Sequence, residues 1–116
     1  MDNNEKRAKA LFERYGFDFK SEFRDDIKRL LNDEIENFQT GSSEYLRVLC
    51  GFLFCIGDID DLEIIKNVKY KINFDVGSMI DSDWIEYIDG TNSDHSSIRK
   101  ELVKQYSDYY KHYFDL

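Results

Sequence analysis

The 116-residue chain contains no proline, although it carries nine phenylalanines, eight tyrosines and one tryptophan. Proline removes a backbone donor and breaks helix interiors, so its absence leaves long helices uninterrupted. Hydrophobic residues make up 41% of the chain, which is enough for a core and excludes wholesale disorder. We therefore predict an all-α fold and a single domain, residues 1–116, of five to six helices.

Apolar periodicity and capping residues set the predicted helix bounds. The helices are expected at 3–15, 21–38, 43–56 and 59–71, with a short one starting at 81 and a last one starting at 94 or 96. Segments 73–77 and 89–93 are predicted as connections. Gly57 and Asp58 separate the third and fourth helices so briefly that they predict an αα-hairpin, the unit of a HEAT-like helical hairpin bundle.

The predicted core lies on the apolar stripes of these helices. The third helix is apolar nearly all round and is therefore expected at the centre. In the second helix the inward side chains are Phe23, Ile27, Leu30, Leu31, Ile35 and Phe38, and in the fourth they are Ile59, Leu62, Ile64, Ile65 and Val68. Around the short helix that starts at 81, the side chains expected to face inward are Ile80, Trp84, Ile85 and Ile88. Cys50 and Cys55 point apart on one helix, so we expect two buried free thiols, which suit a reducing cytoplasm.

The acidic balance limits the possible partners. The net charge is −8, and residues 41–95 contain 11 acidic but only 4 basic side chains. A chain of this charge is not expected to bind nucleic acid directly or an anionic membrane surface, because both need a basic face. The N-terminal residues resemble no secretory signal, and the longest apolar run, 48–57, is too short to span a bilayer. These features together predict a cytoplasmic protein.

Two explanations compete for the acidic side chains of the middle segment. Capping of helix N-termini accounts for Asp58, Asp61, Asp81 and Asp94 without any partner. Capping does not account for Asp60 and Glu63, which are predicted on the open face of the fourth helix. Unpaired carboxylates repel one another, and a basic protein partner would relieve that repulsion and bind faster because of it.

No catalytic or metal-binding motif is present in the sequence. EF-hand loops starting at Asp58 or Asp81 lack the required glycine and glutamate. His95 is expected in a capping loop and His112 on the last helix, and neither has a partner at metal-ligand spacing. Tyr106, Tyr109, Tyr110 and Tyr113 favour core packing over a binding surface. We expect no cofactor and no catalytic residue, although a carboxylate-bound magnesium site, and with it a small metal-dependent enzyme, stays possible.

The middle of the chain carries a recognisable pattern. It comprises Phe54-Cys55-Ile56-Gly57-Asp58-Ile59-Asp60-Asp61, Ile64-Ile65, Lys69, and Asn73-Phe74-Asp75 through Ile80-Asp81. This pattern, over roughly residues 45–90, resembles small bacterial helical immunity proteins of polymorphic or contact-dependent toxin systems. Such proteins act by binding, so the resemblance supplies no active site.

The resemblance implies that the chain binds and neutralises a cognate toxin domain, often a cationic nuclease, through an acidic face. An aromatic side chain such as Trp84 or a tyrosine would anchor the centre of that face. The residues expected there are Asp60, Glu63, Asn67, Asp81, Asp83, Trp84 and Glu86. A helical adaptor or scaffold that binds another basic partner is the alternative, because it would share every one of these features.

Overall fold

Seven α-helices make up most of the computed structural model, which describes residues 1–39, 41, 43–88 and 93–116, with side chains omitted at 93 and 94. They are α1 (Asn3–Tyr15), α2 (Arg24–Glu36), α3 (Ser43–Ile56), α4 (Leu62–Lys71), α5 (Phe74–Met79), α6 (Ser82–Glu86) and α7 (Ser93–Tyr113). Short 3₁₀ turns at Ser21–Phe23 and Ile59–Asp61 precede α2 and α4. No strand occurs within the described ranges, so the all-α prediction is confirmed.

The helix bounds agree with the prediction in α1 and α3 and differ elsewhere. Segment 73–77, predicted as a connection, instead forms most of α5, because the Asn73 side chain accepts a hydrogen bond from the Val76 N–H at 2.9 Å and caps the helix. This additional helix brings the number in the described ranges to seven, so the prediction of five to six is wrong. Gly77 lies within this helix, where a Cβ would be 2.4 Å from the Lys69 carbonyl oxygen. The glycine that indicated a connection is therefore needed for close packing of α5 on α4. Of the connection predicted at 89–93, residues 89–92 lie outside the described residues, whereas Ser93 is the first residue of α7.

Helix α3 is the centre of the core, as predicted. From Tyr45 to Cys55 every residue except Arg47 is buried, and the helix packs against α1, α2, α4, α5, α6 and α7. Cys50 and Cys55 are buried and free. Burial raises the pKa of both thiols, so they stay neutral and unreactive near pH 7, as expected of core cysteines.

Three residues depart from the predicted apolar stripes. Phe38 lies beyond the end of α2 and is exposed, while Ile59 lies in the 3₁₀ turn, where the period of α4 has not begun, and is 48% exposed. Glu34 is not among the predicted inward side chains of α2, yet it is buried. Its burial is possible because Arg7 of α1 donates two hydrogen bonds to its carboxylate, at 2.8 and 2.9 Å. A cation that is distant in sequence but close in space therefore permits a buried carboxylate at a position where the helix pattern indicated an apolar side chain.

Candidate protein-interaction surface

Two of the middle-segment carboxylates are neutralised within the chain. Asp61 is completely buried and accepts hydrogen bonds from Arg24 Nε and Nη2 at 2.7 and 2.9 Å, with Lys28 Nζ 3.1 Å away. The hydrogen bond to Asp61 raises the pKa of the Arg24 guanidinium above its ordinary value. Asp58 lies 3.3 Å from the same guanidinium and accepts a hydrogen bond from the Asp60 N–H. Asp58 and Asp61 therefore fasten the α3–α4 junction to α2 and are not available to a partner.

Five further carboxylates of this segment have little or no charge compensation within the described ranges, namely Asp60, Glu63, Asp81, Asp83 and Glu86. Asp60, Asp81 and Glu86 are exposed and Asp83 is half-buried, and none of them has a cation within 4 Å in the part of the chain that the structure describes. Asp60 raises the pKa of Arg24 less than Asp61 and Asp58 do. Glu63 is 3.9 Å from Lys66, but its side chain is 79% exposed, so water screens that pair.

The predicted site residues fall on two neighbouring elements. Glu63 and Asn67 lie on the exposed face of α4, with Asp60 just before it, and Asp81, Asp83 and Glu86 lie at or next to α6, which contacts α4. Asp81 also caps α6 by accepting a hydrogen bond from the Asp83 N–H at 2.9 Å, so the capping role predicted for it is confirmed. We call the set Asp60, Glu63, Asp83 and Glu86 the acidic face.

Trp84 is not on this surface. Its side chain is 2% exposed and its ring lies 6.0 Å from that of Phe54 and 5.7 Å from that of Tyr106. Trp84 is on the inner side of α6, where it packs on α3 and α7, so the inward orientation predicted for it is confirmed and the prediction that it anchors an interface is wrong. An interface anchor must therefore be sought elsewhere.

Two exposed aromatic side chains were missed by the sequence reasoning. Phe74 is 87% exposed and Tyr70 is 68% exposed, the highest values of any aromatic residue in the described ranges. A signal for Tyr70 was present, because at 100° per residue Glu63, Asn67 and Tyr70 fall within about 60° on α4. No comparable signal existed for Phe74, since its exposure depends on how α5 packs on α4.

Arg47 lies in a small cleft and is held by the chain itself. Its guanidinium carbon is 5.0 Å from the centre of the Trp84 ring and 5.2 Å from that of Tyr109, and its Nη1 donates a hydrogen bond to the Tyr110 hydroxyl. That hydroxyl in turn donates to Glu44. Arg47 is thereby bridged to a carboxylate through a phenol, which accounts for a cation at this depth without any ligand.

The predicted tyrosine stripe of the last helix divides into two pairs. Tyr106 and Tyr110 are buried, which confirms core packing for them, whereas Tyr109 and Tyr113 are 48% and 42% exposed. His95 lies in the first turn of α7 instead of a capping loop, with its ring 4.8 Å from that of Tyr87.

The described residues were also compared with what a metal site and a membrane span require. Within the described ranges, no three His, Cys, Asp or Glu side chains are grouped closely enough to hold a metal ion. None of the helices in those ranges combines the length and apolar character needed to cross a bilayer.

No family model, curated protein or solved structure gives a significant match to this chain. Its functional interpretation therefore depends on its own residues.

Proposed function

We propose that this chain is an immunity protein that binds a cognate, positively charged toxin domain through the acidic face and neutralises it without catalysis. The observation that supports the proposal is that some of the neighbouring carboxylates are ion-paired within the chain and others are not. Asp58 and Asp61 are paired with Arg24, whereas Asp60, Asp83 and Glu86 have no cation within 4 Å in the described part of the chain.

The physical reason is the electrostatic repulsion between neighbouring carboxylates of like charge. Exposed carboxylates on the adjacent α4 and α6 repel one another, and within the described ranges the only cation within 4 Å of the acidic face is Lys66, 3.9 Å from the exposed Glu63. A basic protein surface would cancel it on binding and would also be attracted over a distance before contact. Association is therefore expected to be fast at low salt and to slow as salt screens the attraction.

A HEAT-like pairing of α3 and α4 and a cytoplasmic location are part of the same proposal. The pairing is supported by the short connection at Gly57, whose φ of +84° ends α3, and by the contact between the two helices. A face of a 116-residue domain supplies the roughly 800 Å² that a standard interface buries from each partner. Neither direct nucleic-acid binding nor membrane binding is proposed.

Co-expression with the product of the gene immediately upstream, taken as the candidate toxin, tests the proposal. The wild-type chain should restore growth, and the purified pair should form a 1:1 complex whose association rate falls steeply with salt. The variant D60K/E63K/E86K should bind at least about tenfold more slowly and protect poorly, because each substitution reverses one charge of the acidic face. These positions exclude Asp81, whose carboxylate caps α6.

The matched control is E13K/E36K/E101K, which makes the same total charge change on α1, α2 and α7 at exposed positions. It should protect like the wild type. If both triple variants lose protection equally, net charge and not the acidic face would be responsible. If the wild-type chain fails to bind or protect, the immunity function is wrong, and an adaptor role for another basic partner becomes the better explanation.

A further inference from the structure

Four arginines in the described ranges are half-buried, and three of them reach a carboxylate. These three are Arg7, Arg24 and Arg47, the last of which is connected to its carboxylate through a tyrosine hydroxyl. The fourth is Arg99 of α7, which has no carboxylate within 4 Å in those ranges. In a chain with 24 acidic and 16 basic side chains, a half-buried arginine without a counter-ion needs a physical reason.

The guanidinium of Arg99 is held against the end of α3 by uncharged groups. Its Nη2 donates a hydrogen bond to the Cys55 carbonyl oxygen at 2.9 Å, and its central carbon lies 4.7 Å from the centre of the Phe54 ring. The Gly57 backbone is so close that a Cβ there would lie 2.4 Å from Nη2. Burial lowers the pKa of Arg99 below its ordinary value. These contacts fix the guanidinium in place, but they supply no negative charge to offset its removal from water.

A cavity of about 290 Å³ opens beside this guanidinium. It is lined by Ser96, Arg99, Lys100 and Val103, and no acidic side chain of the described ranges lines it. Lys100 is exposed and, like Arg99, has no carboxylate within 4 Å in the part of the chain that the structure describes. Nη1 of Arg99 is buried and has no hydrogen-bond acceptor. A buried N–H without an acceptor is unfavourable, so an oxygen supplied from the cavity would stabilise it.

We propose that Arg99 and Lys100 form a binding site for the oxyanion of a small molecule, a phosphate or a carboxylate group. A guanidinium and an ammonium both donate strong, charge-assisted hydrogen bonds to such oxygens. Because Nη1 is covered in the structure, binding requires a small rotation of the guanidinium toward the cavity. The inference is independent of the proposed immunity function, since none of the lining residues belongs to the acidic face.

The net charge of −8 is compatible with such a site. At physiological ionic strength, exposed charges more than about 8 Å apart are largely screened, so the groups that line the cavity dominate its potential. In the described ranges those groups are either cationic or uncharged. With two cations, the site is expected to bind a simple anion weakly, at millimolar concentration.

An NMR titration of the ¹⁵N-labelled full chain with sodium phosphate tests the site, with sodium chloride at matched ionic strength as the reference. The backbone amides of the four lining residues should shift together and reach saturation in phosphate but not in chloride. A parallel titration with sodium acetate distinguishes a phosphate site from a carboxylate site.

Three variants assign the binding to the two cations. R99Q should abolish the saturable shifts, and K100Q should weaken the binding at least about threefold. R99Q also loses the hydrogen bond to Cys55, so K100Q, at an exposed position, gives the same test in a protein whose packing is intact. The control R14Q removes an exposed arginine of α1 and should leave the titration unchanged.

Each outcome decides for or against the site. Saturation that R99Q and K100Q reduce and R14Q does not supports the proposal, and the anion that saturates the shifts identifies the ligand class. Shifts that stay linear with phosphate and acetate, or that are unchanged in R99Q and K100Q, overturn it. The carboxylates of Asp89 and Asp94 lie outside the described part of the chain. If phosphate saturates the shifts in D89N/D94N but not in the wild type, a carboxylate of the chain itself fills the site and the proposal is wrong.

Discussion

The ring of Tyr106 occupies the space that a side chain at Gly51 would need: a Cβ at position 51 would lie 2.1 Å from Cε2 of that ring. The Tyr106 hydroxyl also donates a hydrogen bond to the Val48 carbonyl oxygen at 2.7 Å. Glycine inside a helix costs about 1 kcal/mol relative to alanine. Here it permits α7 to pack directly on the backbone of α3, which joins the C-terminal helix to the centre of the core.

We expect G51A to lower the free energy of unfolding by about 1–3 kcal/mol, the usual cost of overpacking a core. In an open helix the same change would stabilise the protein by about 1 kcal/mol, so the sign of the effect identifies the contact. Urea unfolding at equilibrium measures it. The double variant G51A/Y106L should be more stable than the sum of the two single effects predicts, and a G51A protein at least as stable as the wild type would contradict the packing described above.

Replacing Asp61 with asparagine should destabilise the protein by about 3 kcal/mol, because it leaves Arg24 and Lys28 without their buried carboxylate. This value is at the lower end of the free-energy cost of breaking a buried ion pair, because the side chains of Arg24 and Lys28 are partly exposed to water. Thermal and urea unfolding give the value. The control E63Q removes an exposed carboxylate and should leave the stability unchanged within error. Equal effects of the two substitutions would show that burial of Asp61 does not govern its contribution.

Trp84 provides a spectroscopic test of its burial, because it is the only tryptophan in the chain. Its fluorescence should have a maximum at a clearly shorter wavelength than in the unfolded protein and should be weakly quenched by acrylamide. The same protein in guanidinium chloride is the control for full exposure. Quenching as strong as in that control would place Trp84 on the surface and restore it as a possible interface anchor.

Stability should decline above about pH 9, because several groups titrate at higher pH in the folded protein than in the unfolded chain. Burial raises the pKa of Cys50, Cys55, Tyr106 and Tyr110, and the hydrogen bond to Glu5 raises the pKa of Tyr113 to about 12. A raised pKa stabilises the fold below the unfolded value, and that contribution is lost as pH rises through the folded value.

Urea unfolding midpoints between about pH 8 and pH 11 measure this decline. The variant Y113F should show a shallower fall above about pH 10 than the wild type, since it lacks the phenol that Glu5 keeps protonated. Identical pH profiles for the two proteins would show that the hydrogen bond between Tyr113 and Glu5 does not form in solution.

The amino-acid sequence by itself determined the helical class, the bounds of α1 and α3 and the central position of α3. These features follow from spacing of apolar residues and from capping groups within a few positions of each other, so local physics is sufficient. It also located the acidic excess on α4 and α6. The immunity function and the basic partner stay predictions.

Only the tertiary structure decided which side chains are matched and which are free. Asp61 and Glu34 are buried because Arg24 and Arg7 reach them from 37 and 27 residues away along the chain, and no local pattern reveals such a pairing. The inward position of Trp84, by contrast, is predicted by the apolar pattern around α6 and is confirmed. The exposure of Phe74 depends on how the six-residue helix α5 packs against α4, which no local pattern indicates.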